Sequence, residues 1–344
     1  MVSSAALLAL IGSVSAEVIW DGRANDYADS SFLDKWSWSS QVGPYQWYIH
    51  GSGETSSYVN LNSDYKNPAD TGSKQGIQIT NDKTSSWNGQ TMLRTELIPQ
   101  TTEAINKGKV YYHFSMQHSG TNPPSPSGEH QINFFESHFT EMKFGASGGS
   151  DNNLHWYAGG ESQWKAELTK DTWHNVAYGI DFDAGTVEFY HSTGADALEK
   201  TAGPITADTQ SNGADWHLGV LRLTNDGSTE DWHFSGVYIE SGDLTTSVVS
   251  PGGSASAPAA SGASEGSSSS VTSAVRAPAS TAAASAASSA ATSAASSPVS
   301  SAASSAVSSA AASPASSQAA ATTSSAVTSS MEAESSCVVE YVYV

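Results

Sequence analysis

Alternation of apolar and polar residues with a period of two runs through most of the first 243 residues. Such alternation places successive side chains on opposite faces of a strand. It predicts strands at 109–117, at 130–136 and in the pair 173–183 and 186–192, which Ala184-Gly185 joins as a β-hairpin. The sequence shows no convincing amphipathic helix, so we predict an all-β fold built as an antiparallel sandwich.

The segment NGQTMLRTELIPQ (88–100) raises the question of function most directly. A strand over its length would place Gln90, Met92, Arg94 and Glu96 on one face and Leu93, Thr95 and Leu97 on the other. An amide, a guanidinium and a carboxylate in line would either meet water or border a cleft that holds a polar ligand.

Two later segments repeat this division into an apolar and a polar face. In 109–117 the polar side carries Tyr111, His113, Ser115 and Gln117. In 130–135 Ile132 and Phe134 are predicted on one side, with Gln131, Asn133 and Phe135 on the other. We expect the polar faces to lie together on one concave sheet, although a merely solvated outer sheet would show the same pattern.

Composition divides the 344 residues into four parts. Residues 1–16 are predicted to be a signal peptide, so we expect a secreted, extracellular protein. Residues 17–243 suffice for one β-rich domain. Residues 244–330 are almost all Ser, Ala, Thr, Pro and Gly and are predicted to be disordered, as an O-glycosylated stalk or an unmodified flexible tail. Residues 331–344 form a short C-terminal segment of unknown role, which holds the only cysteine, Cys337, so no intrachain disulfide can form.

The net charge of −20 limits the choice of partners. Nucleic acids and anionic membranes are bound by surplus Lys and Arg, so we expect neither. An anionic sugar is not excluded, because a few cations that converge in a groove outweigh a distant, screened charge. The sequence has no Gly-rich phosphate loop, Ser nucleophile elbow or His-Glu-x-x-His zinc motif. We expect a monomer without an organic cofactor.

Three segments resemble the pattern of β-jelly-roll polysaccharide lyases: LRTELIP (93–99), HQINFF (130–135) and MKF (142–144). Alginate lyases have related strands, and over about 18–243 the chain is similar to fungal glucuronan lyases, polysaccharide lyase family 20. The resemblance implies a jelly roll with a concave substrate groove. It also implies β-elimination on a polyuronate, β-1,4-glucuronan above all, with unsaturated oligosaccharides as products. Asn133 and Leu221 depart from the alginate lyase pattern, where a His and the catalytic Tyr stand.

Elimination requires donors that neutralise the uronate carboxylate, and a base and an acid for the proton transfers. The resemblance assigns the first role to Arg94 and Gln90, with Glu96 orienting the guanidinium; a plain bidentate pair of Arg94 with Glu96 is the alternative. Tyr190 is the predicted base and acid, or else an ordinary tyrosine. His50 and His113 are the other candidates for the base. The substrate-binding residues are predicted to be His50, His113, Gln131, Asn133 and Lys143.

A structural Ca²⁺ is the one ion that the resemblance suggests. Hard cations take oxygen ligands, and Asp21 and Asp231 could meet if the first and last strands are neighbours. Each is otherwise a solvated turn acid.

Two other functions fit these residues less well. A glycoside hydrolase of similar shape would need two facing carboxylates about 5 to 9.5 Å apart. The strand at 130–136 has only Glu129 and Glu136 at its ends and no acid at its centre, which argues against this class. A non-catalytic, lectin-like carbohydrate-binding module on a mucin-like stalk would use the same aromatic and amide side chains without a base.

Overall fold

The computed structural model describes residues 15–253, and all structural statements below concern these residues. No helix among them is long and apolar enough to cross a membrane. The predicted C-terminal segment 331–344, most of the predicted signal peptide 1–16 and most of the predicted tail 244–330 lie outside the described residues.

The described residues form fifteen strands and three short 3-10 helices. The strands are β1 Glu17–Asp21, β2 Tyr45–Ile49, β3 Val59–Asn62, β4 Gly76–Asn81, β5 Leu93–Pro99, β6 Lys109–Gln117, β7 His130–Phe135, β8 Thr140–Phe144, β9 Asn153–Ala158, β10 Glu161–Glu167, β11 His174–Asp181, β12 Thr186–Thr193, β13 Glu199–Thr206, β14 Trp216–Arg222 and β15 Glu230–Ser241. The 3-10 helices are Ser30–Lys35, Thr55–Ser57 and Ser63–Tyr65.

The strands form two antiparallel sheets. The seven-stranded sheet has the order β10-β9-β8-β7-β14-β5-β2, and the eight-stranded sheet has the order β13-β12-β11-β6-β15-β4-β3, with β1 paired to β15. The predicted all-β, antiparallel sandwich of jelly-roll type is confirmed. The predicted hairpin is present as β11 and β12, which pair over their whole length.

The core lies between the sheets, where apolar side chains of alternate positions meet. Trp156 of β9 stacks on Phe189 of β12 with ring centroids 4.8 Å apart. Trp216 of β14 meets Tyr112 of β6 edge to face at 5.0 Å. All four are at most 1% exposed. Because burial of a large apolar side chain contributes roughly 1.5–3 kcal/mol, such contacts between sheets supply much of the stability of this fold.

The strand predicted at 88–100 begins later than expected. Asn88 and Gly89 have φ angles of 48° and 77°, typical of a tight turn, and β5 starts only at Leu93. The backbone N–H of Gln90 donates to the carbonyl of Trp87 at 2.9 Å. Gln90 therefore lies in the turn, and its predicted alignment with Arg94 along one strand is wrong.

The alternation of side chains between the two faces of β7 is interrupted at Asn133, which has a φ of 46°. Two residues of β14, Leu218 and Gly219, lie opposite this single residue, which forms a β-bulge. The backbone N–H of Gly219 donates to Oδ1 of Asn133 at 2.9 Å. Phe134 therefore turns to the outer face and Phe135 enters the core, the reverse of the predicted faces.

Residues 244–253 lie against the eight-stranded sheet; we call them the strap. The carbonyl of Thr246 accepts from the N–H of Leu198 at 2.7 Å, and the N–H of Ser250 donates to Oδ1 of Asp70 at 3.0 Å. Nη1 of Arg23 donates to the carbonyl of Pro251 at 2.6 Å. The domain thus makes contacts as far as Pro251, eight residues beyond the predicted boundary at 243.

Candidate active site

Four polar side chains meet on the outer face of the seven-stranded sheet, which we call the site face: Arg94, Glu96, Glu136 and His217. We call them the acid cluster. Arg94 and Glu96 alternate on β5, and His217 lies on the neighbouring strand β14. Glu136 follows β7, the next strand, and its backbone N–H donates to the carbonyl of Asp215 at 2.8 Å.

Glu96 is the centre of the acid cluster. Nε of Arg94 donates to its Oε1 at 2.7 Å, and Nη2 of Arg94 and Nδ1 of His217 donate to its Oε2 at 2.8 and 2.6 Å. Nε2 of His217 then lies 3.1 Å from Oε2 of Glu136. The side chain of Glu96 is fully buried, whereas that of Glu136 is 46% exposed. Of the two carboxylates, Glu136 is therefore the one that faces solvent.

The charged groups of the acid cluster shift the pKa values of their neighbours. Burial raises the pKa of Glu96, but Arg94 and His217 outweigh it and lower the pKa to about 2. Burial lowers the pKa of His217, yet Glu96 and Glu136 more than compensate, so the pKa is raised above its usual 6.5. The hydrogen bond from His217 lowers the pKa of Glu136. The two carboxylates thus favour the protonated form of the imidazole that lies between them.

Phe134 supports the imidazole ring from one side. It stacks on His217 with ring centroids 4.6 Å apart and an interplanar angle of 11°. The bulge at Asn133 turns Phe134 to the site face, and a Cβ on Gly219 would lie only 2.2 Å from the carbonyl oxygen of Thr95. The close strand packing at this point therefore requires glycine, and it fixes the position of His217.

A row of paired residues crosses the site face from the acid cluster towards β10. Antiparallel partners point to the same face, and the pairs run Arg94–Leu221, Leu221–Gln131, Gln131–Lys143, Lys143–His155 and His155–Lys165. At about 4.8 Å per strand the row is roughly 24 Å long. The site face is therefore long enough to contact several sugar units of a polymer.

A cluster of four tryptophans lies at the β2 edge of the site face; we call it the tryptophan platform. Trp38 is 67% exposed. Its ring centroid lies 5.3 Å from that of Trp36 and 5.9 Å from those of Trp47 and Trp87. Its neighbours hold the exposed indole in a defined orientation.

The predicted catalytic residues do not come together. Arg94 is in the acid cluster, and its pairing with Glu96 is the alternative that the sequence left open. Gln90 lies in the turn before β5. Tyr190 lies on β12 of the other sheet, where its hydroxyl donates to Oε2 of Glu188 at 2.9 Å and burial raises its pKa further above 10. Tyr190 therefore does not lie beside Arg94 as the predicted base.

The predicted substrate-binding residues are divided among four places. Gln131 and Lys143 lie on the site face, in the row described above. Asn133 is fully buried and belongs to the bulge. His113 lies on the other sheet, with Nε2 2.9 Å from Oε1 of Glu240. His50 follows β2, where its ring stacks on Tyr48 at 4.0 Å and contacts Trp36 and Trp87 of the platform.

The predicted calcium ligands are also apart. Strands β1 and β15 are neighbours, as expected, but Asp21 pairs with Tyr238, seven residues from Asp231. That separation is about 23 Å along β15. Asp21 pairs with Arg23, and Asp231 accepts from Thr80 and Asn122. The residues from 15 to 253 contain no group of three or more His, Cys, Asp or Glu that could hold a metal ion.

Sequence reasoning missed His217 and the pairing of Glu96 with Glu136. Glu96 had been considered only as a partner of Arg94, and Glu136 only as an acid at a strand end. The missing information is the strand order β7-β14-β5, which brings the two acids to opposite sides of His217. Local periodicity shows which face a side chain occupies but not which strands become neighbours.

Comparisons with known proteins identify relatives of this domain. The profile of the glycoside hydrolase 131 catalytic N-terminal domain matches residues 18–245. The crystal structure of a GH131 beta-glucanase catalytic domain from Podospora anserina is 62% identical with a TM-score of 0.66, over 67% of this chain and 99% of that chain. The catalytic domain of the glycoside hydrolase family 131 protein from Coprinopsis cinerea is 50% identical with a TM-score of 0.65, over 67% and 98%. A search of curated proteins gave no match.

These matches overturn the resemblance to polysaccharide lyases. Assignment to polysaccharide lyase family 20 is wrong, and so are glucuronan and β-elimination as substrate and reaction. The matches do not support the lectin-like alternative better than a glycoside hydrolase. A glycoside hydrolase does not need both acids on β7, because the acid across His217 from Glu136 is Glu96 of β5.

Proposed function

The chain belongs to glycoside hydrolase family 131, and we propose that it hydrolyses a β-glucan at the acid cluster. The Podospora anserina relative is a β-glucanase. The row of paired residues across the site face, polar except for Leu221, suits a polymeric substrate. The sequence led us to expect an anionic polysaccharide; this proposal replaces it with a neutral glucan. A β-glucan outside the cell would agree with the predicted signal peptide.

The observation that carries the proposal is the placement of Glu96 and Glu136 on either side of His217. Nη2 of Arg94 lies 2.8 Å from Oε2 of Glu96 and 4.0 Å from Oε2 of Glu136. These two oxygens are therefore no more than about 7 Å apart. Glycosidases that use two carboxyl groups hold them about 5 to 9.5 Å apart. Here Glu96 is fully buried, so His217, whose pKa it raises, takes the place of the second acid beside Glu136.

The proton transfers are assigned to Glu136 and His217, whose environments move their pKa values in opposite directions. The ionised Glu136 takes a proton from the attacking water. The His217 imidazolium gives its Nε2 proton to the leaving glycosidic oxygen as the carbon–oxygen bond breaks. The proton then passes from Glu136 to His217 across their 3.1 Å contact, which restores both groups.

Glu96 and Arg94 act through His217 as positioning residues. The buried carboxylate of Glu96 keeps the imidazole charged and directs Nε2 towards Glu136. Arg94 in turn occupies both oxygens of Glu96. A fixed, buried carboxylate of this kind does not have to reorganise during the reaction.

The test is hydrolysis by the full chain of soluble glucans with β-1,3 and β-1,4 linkages. We expect new reducing ends, and in heavy-oxygen water we expect the label at the anomeric carbon of each product. We expect no ultraviolet-absorbing unsaturated product from polyuronates. Failure to release reducing ends from any β-glucan would overturn the proposal.

A further inference from the structure

The tryptophan platform is an aromatic surface that the chemistry of the acid cluster does not explain. Trp38 is the most exposed of the large hydrophobic side chains in the described domain. Contiguous exposed apolar surface marks a binding site more often than chance. Nε1 of Trp36 donates to the carbonyl of Gln46 at 2.8 Å, which anchors this part of the platform to β2.

The platform is continuous with the face that carries the acid cluster. Ile49 of β2 pairs with Glu96, and Trp47 pairs with Ile98. Partners in an antiparallel pair point to the same side, so Trp47 and Glu96 share the site face. Trp87 is tied to β5 by the bridge between Ser86 and Leu93. A polymer on the site face could therefore contact both the tryptophan platform and the acid cluster.

The surroundings of the platform favour an uncharged ligand. Trp38 lies between Ser37 and Ser39, and Trp87 lies between Ser86 and Asn88. Hydroxyl and amide groups bond sugar hydroxyls, and an indole face packs against the C–H groups of a pyranose ring. A lipid headgroup or a uronate would instead be bound by cations, and the sequence neighbours of Trp38 and Trp87 carry no charge.

We infer that Trp38, Trp47 and Trp87 bind glucose units of a neutral β-glucan by stacking, beside the bond that is cleaved, with Trp36 holding them against the core. This inference rests on the proposed function, because it assigns the platform to the same substrate. The platform contributes to the affinity for the polymer and takes no part in proton transfer. Its loss therefore acts on binding and KM rather than on kcat.

The test is calorimetric binding to the full chain carrying Glu136→Gln, with gluco-oligosaccharides of β-1,3 or β-1,4 linkage. We expect Trp38→Ala and Trp87→Ala each to weaken binding about tenfold, as expected when a stacking contact is lost. Trp38→Phe, which keeps a ring, should lose much less. Trp164→Ala is the matched control, because Trp164 packs on Phe189 and His191 at the opposite edge of the sheet.

The outcomes separate this inference from the proposed function. Undiminished binding by Trp38→Ala, or no binding by the parent, overturns the platform. Equal affinity for glucuronan oligosaccharides would contradict the inference that the platform binds an uncharged ligand. Ring-dependent binding supports the platform even if the wild-type chain hydrolyses no β-glucan, a result that would overturn only the proposed function. A raised KM for Trp38→Ala on polymeric glucan supports both.

Discussion

Nδ1 of His217 lies 2.6 Å from Oε2 of Glu96, beneath the site face of the seven-stranded sheet. Because Glu96 is ionised and Arg94 occupies both of its oxygens, the imidazole is held in one orientation. Its second nitrogen is thereby directed at Glu136, the half-exposed acid.

Glu136→Gln should lower kcat on β-glucan at least about a hundredfold, the usual effect of losing a group that transfers protons. Because the side chain is half-exposed, the melting temperature should change little. Glu129→Gln is the matched control: this acid precedes the same strand and binds Lys143, so its loss should leave kcat nearly intact. Equal effects of the two changes would contradict the assignment.

Glu96→Gln should change the pH profile of kcat as well as its height. Glu96 raises the pKa of His217, so the acid form of His217 persists above its usual pKa of 6.5. Without that charge the imidazolium loses its proton at lower pH, and the alkaline limb of the profile should move to lower pH. An unmoved alkaline limb, measured on a soluble β-glucan, would show that another group sets it.

Acid should destabilise the domain through a histidine pair on the other sheet. Nδ1 of His174 and Nε2 of His191 are 3.1 Å apart, and burial lowers the pKa of each to about 4. Between pH 6.5 and 4 the unfolded chain binds protons that the folded chain does not, so the free energy of unfolding falls as the pH drops through this window.

The measurement is urea unfolding at about pH 7 and about pH 5, above the range where Glu96 gains a proton. His191→Phe should lose less stability between the two values than the wild type does. A variant that loses as much as the wild type would assign the acid sensitivity elsewhere.

Asn133→Ala should destabilise the domain by about 2 kcal/mol, from the left-handed backbone and the lost acceptor for Gly219. It should also lower kcat, because Phe134 and His217 depend on the bulge. Asn133→Gly tolerates the positive φ and lacks only the side-chain acceptor, so it should lose less stability in urea. Wild-type stability of the alanine variant would show that the Asn133 side chain does not stabilise the bulge.

Truncation after Asp243 should lower the melting temperature relative to truncation after Gly253. The shorter chain lacks the strap, so it exposes Glu240 and Asp70, which bind Thr245 and Ser250 in the intact chain. Arg23 would also lose the carbonyl of Pro251. Equal melting temperatures would favour the boundary predicted from composition.

The sequence was sufficient for the strands β6, β11 and β12 and for the shared face of Arg94 and Glu96, because both follow from a period of two. It was insufficient at Asn133, where one left-handed residue reverses the faces of Phe134 and Phe135. The motif LRTELIP misled the interpretation of function for a physical reason. It specifies a strand with a buried Arg–Glu pair, and such a pair can serve hydrolysis as well as elimination.

Glu96 and His217 lie on the strands β5 and β14, whereas Glu136 lies on the turn after β7. Glu96 and His217 are therefore fixed by paired strands of the sheet, whereas Glu136 is held by a turn whose sequence can be replaced. Redesign of the turn could shift the acid by a fraction of an ångström without rebuilding the frame. For an engineer, that turn is the adjustable part of the enzyme.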